Sequence, residues 1–544
     1  MGGPMGGPPG GPTSGTSVAV IGGGVPVLAQ AGRGPKTRAE LTNYEETSRY
    51  QDVVEFMKAV DAASPLIHLT TMGYTFEGRA IPMAVVGRVK DATPEAVKAS
   101  GKTRVYFQGN IHAGEVEGKE ASLEILRAIA GGQHAAWLDT MVLLVSPIYN
   151  ADGNERVALT NRGGQNGPIG GMGQRTTAQG YDLNRDFVKL DAAESRSFEL
   201  MMARYDPHVA IDQHTTNGSA HAYHLTYAPP MHPITAPSVV DMARNQLLPA
   251  VTKAIKAKDG WDFYYYGNAG GPRPGGQQRE RAWSAAELGT GRFSNNFIGL
   301  RNRIGILAET YAYLTFKERI AATRRFVEEI LAFVHTNAAA VRRACDEADK
   351  ASIVGQEVAL TAKVARSPEP VEILLGEVTT ERNPYTGQMM RRRVDVRKPE
   401  KMPVYISFEA AESTVAPHAY LVPPTLRQVI DRLEGHAIRY SRLEAATSLA
   451  VDRFRVSATT VAEREYQGHK ARTISGSWEA TEESVPAGTL VVPVDQPLGR
   501  LIVLMLEPRS EDSLAAWNMM EEGLGGQTPA YPVLRSRVPV PAAK

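Results

Sequence analysis

The chain has 544 residues, and 60 Lys and Arg against 59 Asp and Glu leave a formal net charge of +1, which supplies no global field to hold a polyphosphate backbone and argues against a nucleic-acid partner. Charged residues at 22% and hydrophobic ones at 42% exclude wholesale disorder and are enough to bury large cores. One cysteine, Cys345, excludes an intramolecular disulfide, a four-cysteine zinc site and a CxxC redox pair, so a tightly held metal must use His and carboxylates.

Residues 1–40 read as a leader. Met1 to Pro12 is Gly and Pro with two Met, a composition that cannot build a packed core. Ser17 to Leu28 is mostly apolar, and Ala29-Gln30-Ala31 carries the small-x-small pattern of a signal-peptidase site. Against export, no Lys or Arg precedes Arg33, and Gly22 to Gly24 interrupt the apolar run. The pattern predicts a periplasmic or secreted protein, with a cytoplasmic one bearing a flexible leader as the alternative. No apolar run approaches the roughly 20 residues of an integral membrane segment.

From 41 to 349, apolar runs alternate with helical patterns, the rhythm of an α/β layer fold. Val53, Phe56, Met57 and Val60 recur at helix spacing, and Met83 to Gly87 reads as a strand. Arg104 to Gln108 and Met141 to Pro147 are short apolar runs of the kind buried on both sheet faces. Between them, Ala121, Ile125, Ala128 and Ile129 line one face of a helix that Gly131-Gly132 ends. A helix near Ala192 to Tyr205, a strand at His208 to Asp212, a helix at Val239 to Lys258 and a strand at Ile304 to Glu309 follow. A long helix from about Phe316 to Ala348 closes this half. Residues 350–544 read as a second, β-rich domain, with strands at Val354 to Val364, Glu372 to Val378, Arg391 to Val396 and Met402 to Phe408. Asn383-Pro384 and Thr386-Gly387 mark turns, Thr425 to Gly435 a short helix, and Leu490 to Leu504 a return to β character. No internal repeat of fixed period is visible.

Common catalytic motifs are missing: no HExxH, no G-x-S-x-G, no P-loop and no dinucleotide G-x-G-x-x-G. Among twelve His, only His112 has a Glu three positions on, Glu115. The pair follows a strand end, where ligands collect in an open α/β sheet, and Gly109 and Gly114 would let the backbone turn sharply there. His214 follows the next buried strand in the same way. Two imidazoles and one carboxylate suit one zinc ion with an open position for water; alternatively, both His merely hydrogen-bond within loops. Asp182-Leu183-Asn184-Arg185-Asp186 sets an amide beside a guanidinium, a pair suited to fork-like recognition of a substrate carboxylate, or else to a surface salt bridge. Glu309 ends a buried strand. It pairs with Arg301 or Arg303, or it faces the metal and takes a proton from water there.

The order His112-x-x-Glu115, Asn150-Ala151-Asp152-Gly153, Asp182-Leu183-Asn184-Arg185, His214 and Glu309 resembles the zinc metallocarboxypeptidases related to pancreatic carboxypeptidase A. Met72-Gly73 with Gly78-Arg79 and Ile81-Pro82 also looks like that family's early strand and turn. The resemblance runs from about Tyr44 to Cys345. It implies a mixed central sheet flanked by helices, one zinc ion held by His112, Glu115 and His214, and a peptide substrate cut at its C-terminal bond. Glu309 matches the general base, Asn184 and Arg185 the carboxylate-binding pair, and Asp182 the acid that orients the first metal His. Arg175, with Arg162 the alternative, matches the residue that polarises the scissile carbonyl. A Tyr that covers the substrate is one of Tyr264, Tyr265 or Tyr266, beside a Gly- and Pro-rich loop at Asn268 to Pro274. Asp186 departs from the Asn of many relatives and could weaken the grip of Arg185. Two other readings stay open: a zinc deacylase or amidase acting on acylated amino acids or cell-wall peptides, and a non-catalytic peptide-binding protein. Oligomeric state is not legible.

Overall fold

The computed structural model describes residues 34–270, 280–525 and 529–540. The leader stretch Ser17 to Ala31 and the 271–274 part of the Gly- and Pro-rich loop lie outside the described residues.

Eight strands build the central sheet: β1 (Ile67–Tyr74), β2 (Ala80–Val86), β3 (Thr103–Gly109), β4 (Met141–Ser146), β5 (Val209–Thr216), β6 (Leu225–Ala228), β7 (Phe263–Tyr265) and β8 (Ile304–Tyr311). Their spatial order is β1-β2-β4-β3-β5-β8-β6-β7. The middle strands β4, β3, β5 and β8 run parallel, whereas β1, β2 and β6 pair antiparallel with a neighbour, so the sheet is mixed. Side chains alternate across it as the strand period requires. Val105, Phe107, Val209 and Ile211 enter one hydrophobic cluster, and Tyr106 and Ala210 enter the other.

Helices cover both faces. On the first, α1 (Tyr50–Ala63) buries Val53, Phe56, Met57 and Val60, the stripe expected from the sequence. It packs with α2 (Glu117–Ala130), which packs in turn on α5 (Phe316–Lys350), the last opened by a capping box between Thr315 and Glu318. On the second face lie α3 (Ala193–Tyr205), with Phe198, Met201 and Met202 in the core, and α4 (Ser294–Leu300). Because β3, β5 and β8 are parallel neighbours, their C-terminal ends open at one edge of the sheet, and side chains there converge.

The rest of the chain is mostly strand. Two ribbons form, Val371–Arg382 with Met389–Met402 and Glu357–Ala365 with Ser407–Val415, together with a six-stranded sheet containing the long hairpin Thr447–Val461 and Arg472–Val485. The Asn383 turn is an Asx type, its Oδ1 accepting from the Tyr385 and Thr386 amides. The Arg391-Arg392-Arg393 run lies on the first ribbon, where the Arg393 side chain is buried. Its side chain donates to the Ala222 carbonyl at 2.9 Å and seats the ribbon on the first half of the chain. Helix α6 (Arg427–Gly435) matches expectation.

The Leu490 to Leu504 expectation fails in its second part. Leu490–Pro493 is a strand, but Gly499–Leu506 is a helix, α7, with every residue buried. A continuous apolar run has no periodicity to separate a buried strand from a buried helix. Helix α7 packs against α4, and Leu501 to Leu506 share one cluster with Phe187, Phe297 and Tyr106.

Candidate active site

Beyond β3 the chain makes a tight turn that carries His112 and Glu115. The left-handed residue there is Asn110, at φ 67°, and its Nδ2 donates to the Ala113 carbonyl at 3.1 Å. Gly109 and Gly114 do not stand at positive φ; they serve close approach instead. A Cβ on Gly109 would sit 2.7 Å from the Gly118 carbonyl carbon and the Lys119 nitrogen, and one on Gly114 2.6 Å from Arg162 Cδ. The turn is therefore wedged between β3, α2 and the Arg162 loop, which fixes the direction of both side chains.

His112, Glu115 and His214 meet. Glu115 Oε1 lies 3.0 Å from His112 Nδ1, Glu115 Oε2 lies 3.0 Å from His214 Nδ1, and the two Nδ1 atoms are 3.2 Å apart. All three side chains are buried. Each imidazole turns its other nitrogen onto a carboxylate: His112 Nε2 to Asp182 Oδ1 at 2.9 Å, and His214 Nε2 to Asp212 Oδ2 at 2.7 Å. With Nε2 donating, the Nδ1 lone pairs point inward, the tautomer a metal requires. The donor chemistry fits zinc: two imidazoles and one carboxylate with ligand atoms within 4.8 Å of one another. Glu115 is also clamped by the Arg162 guanidinium and by the Thr215 amide at 3.1 Å. Burial alone would raise its pKa, but His112 and Arg162 hold it well below the usual carboxylate range.

Asp212 escaped the sequence reading as an orienting acid. Its signal was present, since residues two apart on a strand share a face and Asp212 precedes His214 by two.

Glu309 sits beside this cluster. The parallel register of β8 and β5 pairs it with His214, and it lines the same 290 Å³ cavity as His112, Glu115, Arg175 and Arg185. It pairs with neither Arg301 nor Arg303, which are taken by Glu199 and by Asp206 and Asp349. Burial pushes its carboxyl up to about 8, assisted by Glu115 and opposed by His214, Arg162 and Arg175.

Asp182 receives His112 on one oxygen and Arg175, through Nε at 3.0 Å and Nη2 at 2.9 Å, on the other. Asn184 Oδ1 accepts from the Ser294 amide at 2.9 Å, which ties this segment to α4. Arg185 lies with its Cζ 4.3 Å from the centre of the Phe293 ring and donates Nη1 to the Asn184 carbonyl. Among the described residues no carboxylate lies within ion-pair distance of it. Asp186 does not compete for Arg185: it is fully buried and bonded to Lys189 and to the amides of Asp191 and Ala192. Upstream, Asp152 accepts from Thr75 at 2.7 Å and from Arg79 at 2.7 Å, so the Gly78-Arg79 and Asn150 to Gly153 motifs brace each other under the site.

The three tyrosines separate. Tyr264 stacks on Tyr223, and Tyr265 donates to the Arg244 carbonyl at 2.9 Å. Tyr266 alone of the three lines the cavity, its hydroxyl donating to Glu287 Oε1 at 2.7 Å. Both candidate arginines, Arg162 and Arg175, line it too. A larger cavity of about 650 Å³, around Arg292 and Trp517, holds none of the three metal-ligand candidates.

Residues 53–220 match the sequence profile of the zinc carboxypeptidase family. Carboxypeptidase 2 of Trichophyton tonsurans is 25% identical over 481 residues, covering 84% of this chain and 81% of that one. Carboxypeptidase Z of Gallus gallus is 30% identical over 182 residues, 32% of this chain and 26% of its own. Among solved structures, a metallo-carboxypeptidase from Burkholderia cenocepacia is 17% identical with a TM-score of 0.39, over 53% of this chain and 70% of that one.

Proposed function

We propose that this peptidase, which matches the zinc carboxypeptidase family over residues 53–220, hydrolyses the C-terminal peptide bond of peptides, with one zinc ion held by His112, Glu115 and His214. The observation that carries this reading is the meeting of three elements in one cavity: the His112-Glu115-His214 cluster, the Glu309 carboxylate beside it and the Arg185 guanidinium, which has no carboxylate partner among the described residues.

Zinc, when bound, supplies a Lewis acid that acidifies water and polarises a carbonyl. Glu309, raised in basicity by its desolvated setting, takes the proton from the attacking water and returns it to the leaving nitrogen. Arg175, with Arg162 as the other candidate, donates to the scissile carbonyl oxygen as negative charge builds on it. Arg185 and Asn184 hold the terminal carboxylate of the substrate and so fix the reacting geometry. Asp182 and Asp212 keep the two imidazoles in the metal-binding tautomer. Tyr266 is placed to cover the bound end of the peptide.

We read 41–349 as the catalytic domain and 350–544 as a β-rich second domain. No helix among the described residues is long and apolar enough to cross a membrane; the leader pattern supports export, which N-terminal sequencing of the mature protein tests. The activity is tested by metal analysis together with a panel of peptides free or amidated at the C-terminus and of acylated amino acids. Zinc at one per chain with cleavage of free-acid peptides is expected. Preference for acylated amino acids establishes the deacylase reading instead, and zinc without turnover a peptide-binding protein.

A further inference from the structure

The segment that carries Asp182, Asn184 and Arg185 is not held by the first half of the chain alone. Side chains from beyond residue 425 grip it at both ends. At its front stands the tip of the long hairpin Thr447–Val461 and Arg472–Val485. There Tyr466 and His469 bridge, with the Tyr466 amide donating to the His469 carbonyl at 2.8 Å and the reverse bond at 3.2 Å. Between them Gln467 and Gly468 take φ values of 53° and 82°, the left-handed pair of a two-residue hairpin turn. A glutamine seldom adopts that conformation.

The turn aims Gln467 at Asp182. Gln467 Oε1 accepts the Asp182 backbone amide at 2.8 Å, a contact spanning 285 positions of sequence. Gly468 lets the tip come close enough: a Cβ there would lie 2.9 Å from the Tyr181 ring. His469 Nε2 adds a contact of 2.6 Å to Asp191 Oδ2. At the back of the segment, Arg432 of α6 donates to the Lys189 carbonyl and His436 Nε2 to the Val188 carbonyl, both at 2.9 Å.

The amide of Asp182 is thus fixed from one side while its carboxylate serves His112 and Arg175 on the other. We propose that Gln467 is a positioning residue of the catalytic centre, acting through Asp182 on His112, and that the β-rich half serves the active site as a brace behind the Asp182 segment. This rests on the zinc hydrolase reading above. Without the Gln467 oxygen, the buried Asp182 amide loses its acceptor. The Asp182 carboxylate then gains freedom, and the ring it orients loses part of its anchoring.

Gln467→Leu removes the acceptor at similar volume, and Gln467→Glu keeps one at the same reach. Both are tested in the full-length protein by zinc retention against a chelator, by kcat and KM on a cleaved peptide, and by thermal unfolding of the metal-free form. Gln467→Leu is expected to weaken zinc binding and lower kcat by about 3- to 10-fold, less than the roughly 10- to 100-fold effects of groups bonded directly to metal ligands, because it acts one contact further away. KM and the metal-free unfolding temperature stay near wild type, and Gln467→Glu restores both losses. Wild-type zinc affinity and kcat in Gln467→Leu overturn the inference. So do losses that only accompany a lowered metal-free unfolding temperature. A wild-type protein that holds no zinc and cleaves no peptide removes the hydrolase reading itself, and this inference with it.

Discussion

Glu309 lies directly across from His214 on adjacent parallel strands, in an unbroken register that pairs Ile304 with Val209 and Tyr311 with Thr216. Neighbouring strands are about 4.8 Å apart, so the spacing between these two residues is set by backbone hydrogen bonds and not by a mobile loop. Glu309→Gln keeps the shape and removes the proton acceptor. It is expected to lower kcat by about 10²- to 10⁴-fold with KM and zinc content little changed, as read by steady-state kinetics and metal analysis.

The two imidazoles depend on carboxylates behind them. Asp182→Asn or Asp212→Asn keeps volume but weakens the hold on the ring N–H, and each is expected to cost about 10- to 100-fold in zinc affinity. Competition with a fluorescent chelator reads this directly. Complete chelation is expected to abolish hydrolysis, and added zinc to restore it.

Arg185 has a cation–π contact with Phe293 and no carboxylate partner among the described residues. A charge-assisted bond to a substrate carboxylate contributes about 1.5–3 kcal/mol. Arg185→Ala should therefore raise KM for free-acid peptides by about 10- to 100-fold while changing the cleavage of C-terminally amidated peptides little. Kinetics on matched free and amidated peptides check the outcome.

Acid should destabilise the fold through histidines outside the site. Burial, with Arg104 and Arg303 adding to it, brings His208 down to about 3, and burial with Arg393 does the same for His221. Their unfolded value is about 6.5. Between these limits the unfolded chain binds the extra protons, so stability is fully present above about pH 6.5 and is lost as pH falls toward 3. Each imidazole contributes about 1.4 kcal/mol per pH unit. Among the described residues neither ring nitrogen of His221 has a hydrogen-bond partner, and its ring packs on Tyr311 with centroids 3.9 Å apart. His221→Phe should therefore flatten the decline of the unfolding temperature between pH 6 and 4, followed by calorimetry.

Gly109→Ala tests the wedge that aims His112. Its Cβ meets backbone atoms of Gly118 and Lys119 at 2.7 Å, which cannot rotate away. A loss of about 1–3 kcal/mol of stability is expected, measured by denaturant unfolding, together with weakened zinc retention.

The local sequence determined much of this molecule. The Val53 to Val60 stripe, the apolar runs of β3, β4, β5 and β8, and the helix from Phe316 were legible because burial imposes a periodicity or a continuous apolar run on the chain itself. The proposed metal ligands and Glu309 were legible because His112 and Glu115 follow such a strand and His214 and Glu309 lie two residues from the C-terminal ends of theirs, and parallel strand ends open together. The tertiary structure decided the rest. That Tyr266 lines the cavity while Tyr264 and Tyr265 are engaged elsewhere needed the partners of all three rings. Freeing Arg185 from Asp186 needed the buried Lys189, and the helical state of Gly499–Leu506 needed the layer it packs against. Gln467 carries no local mark at all: its bond to Asp182 crosses 285 positions, and a contact of that span leaves no periodicity in either segment, because only the folded chain brings them together.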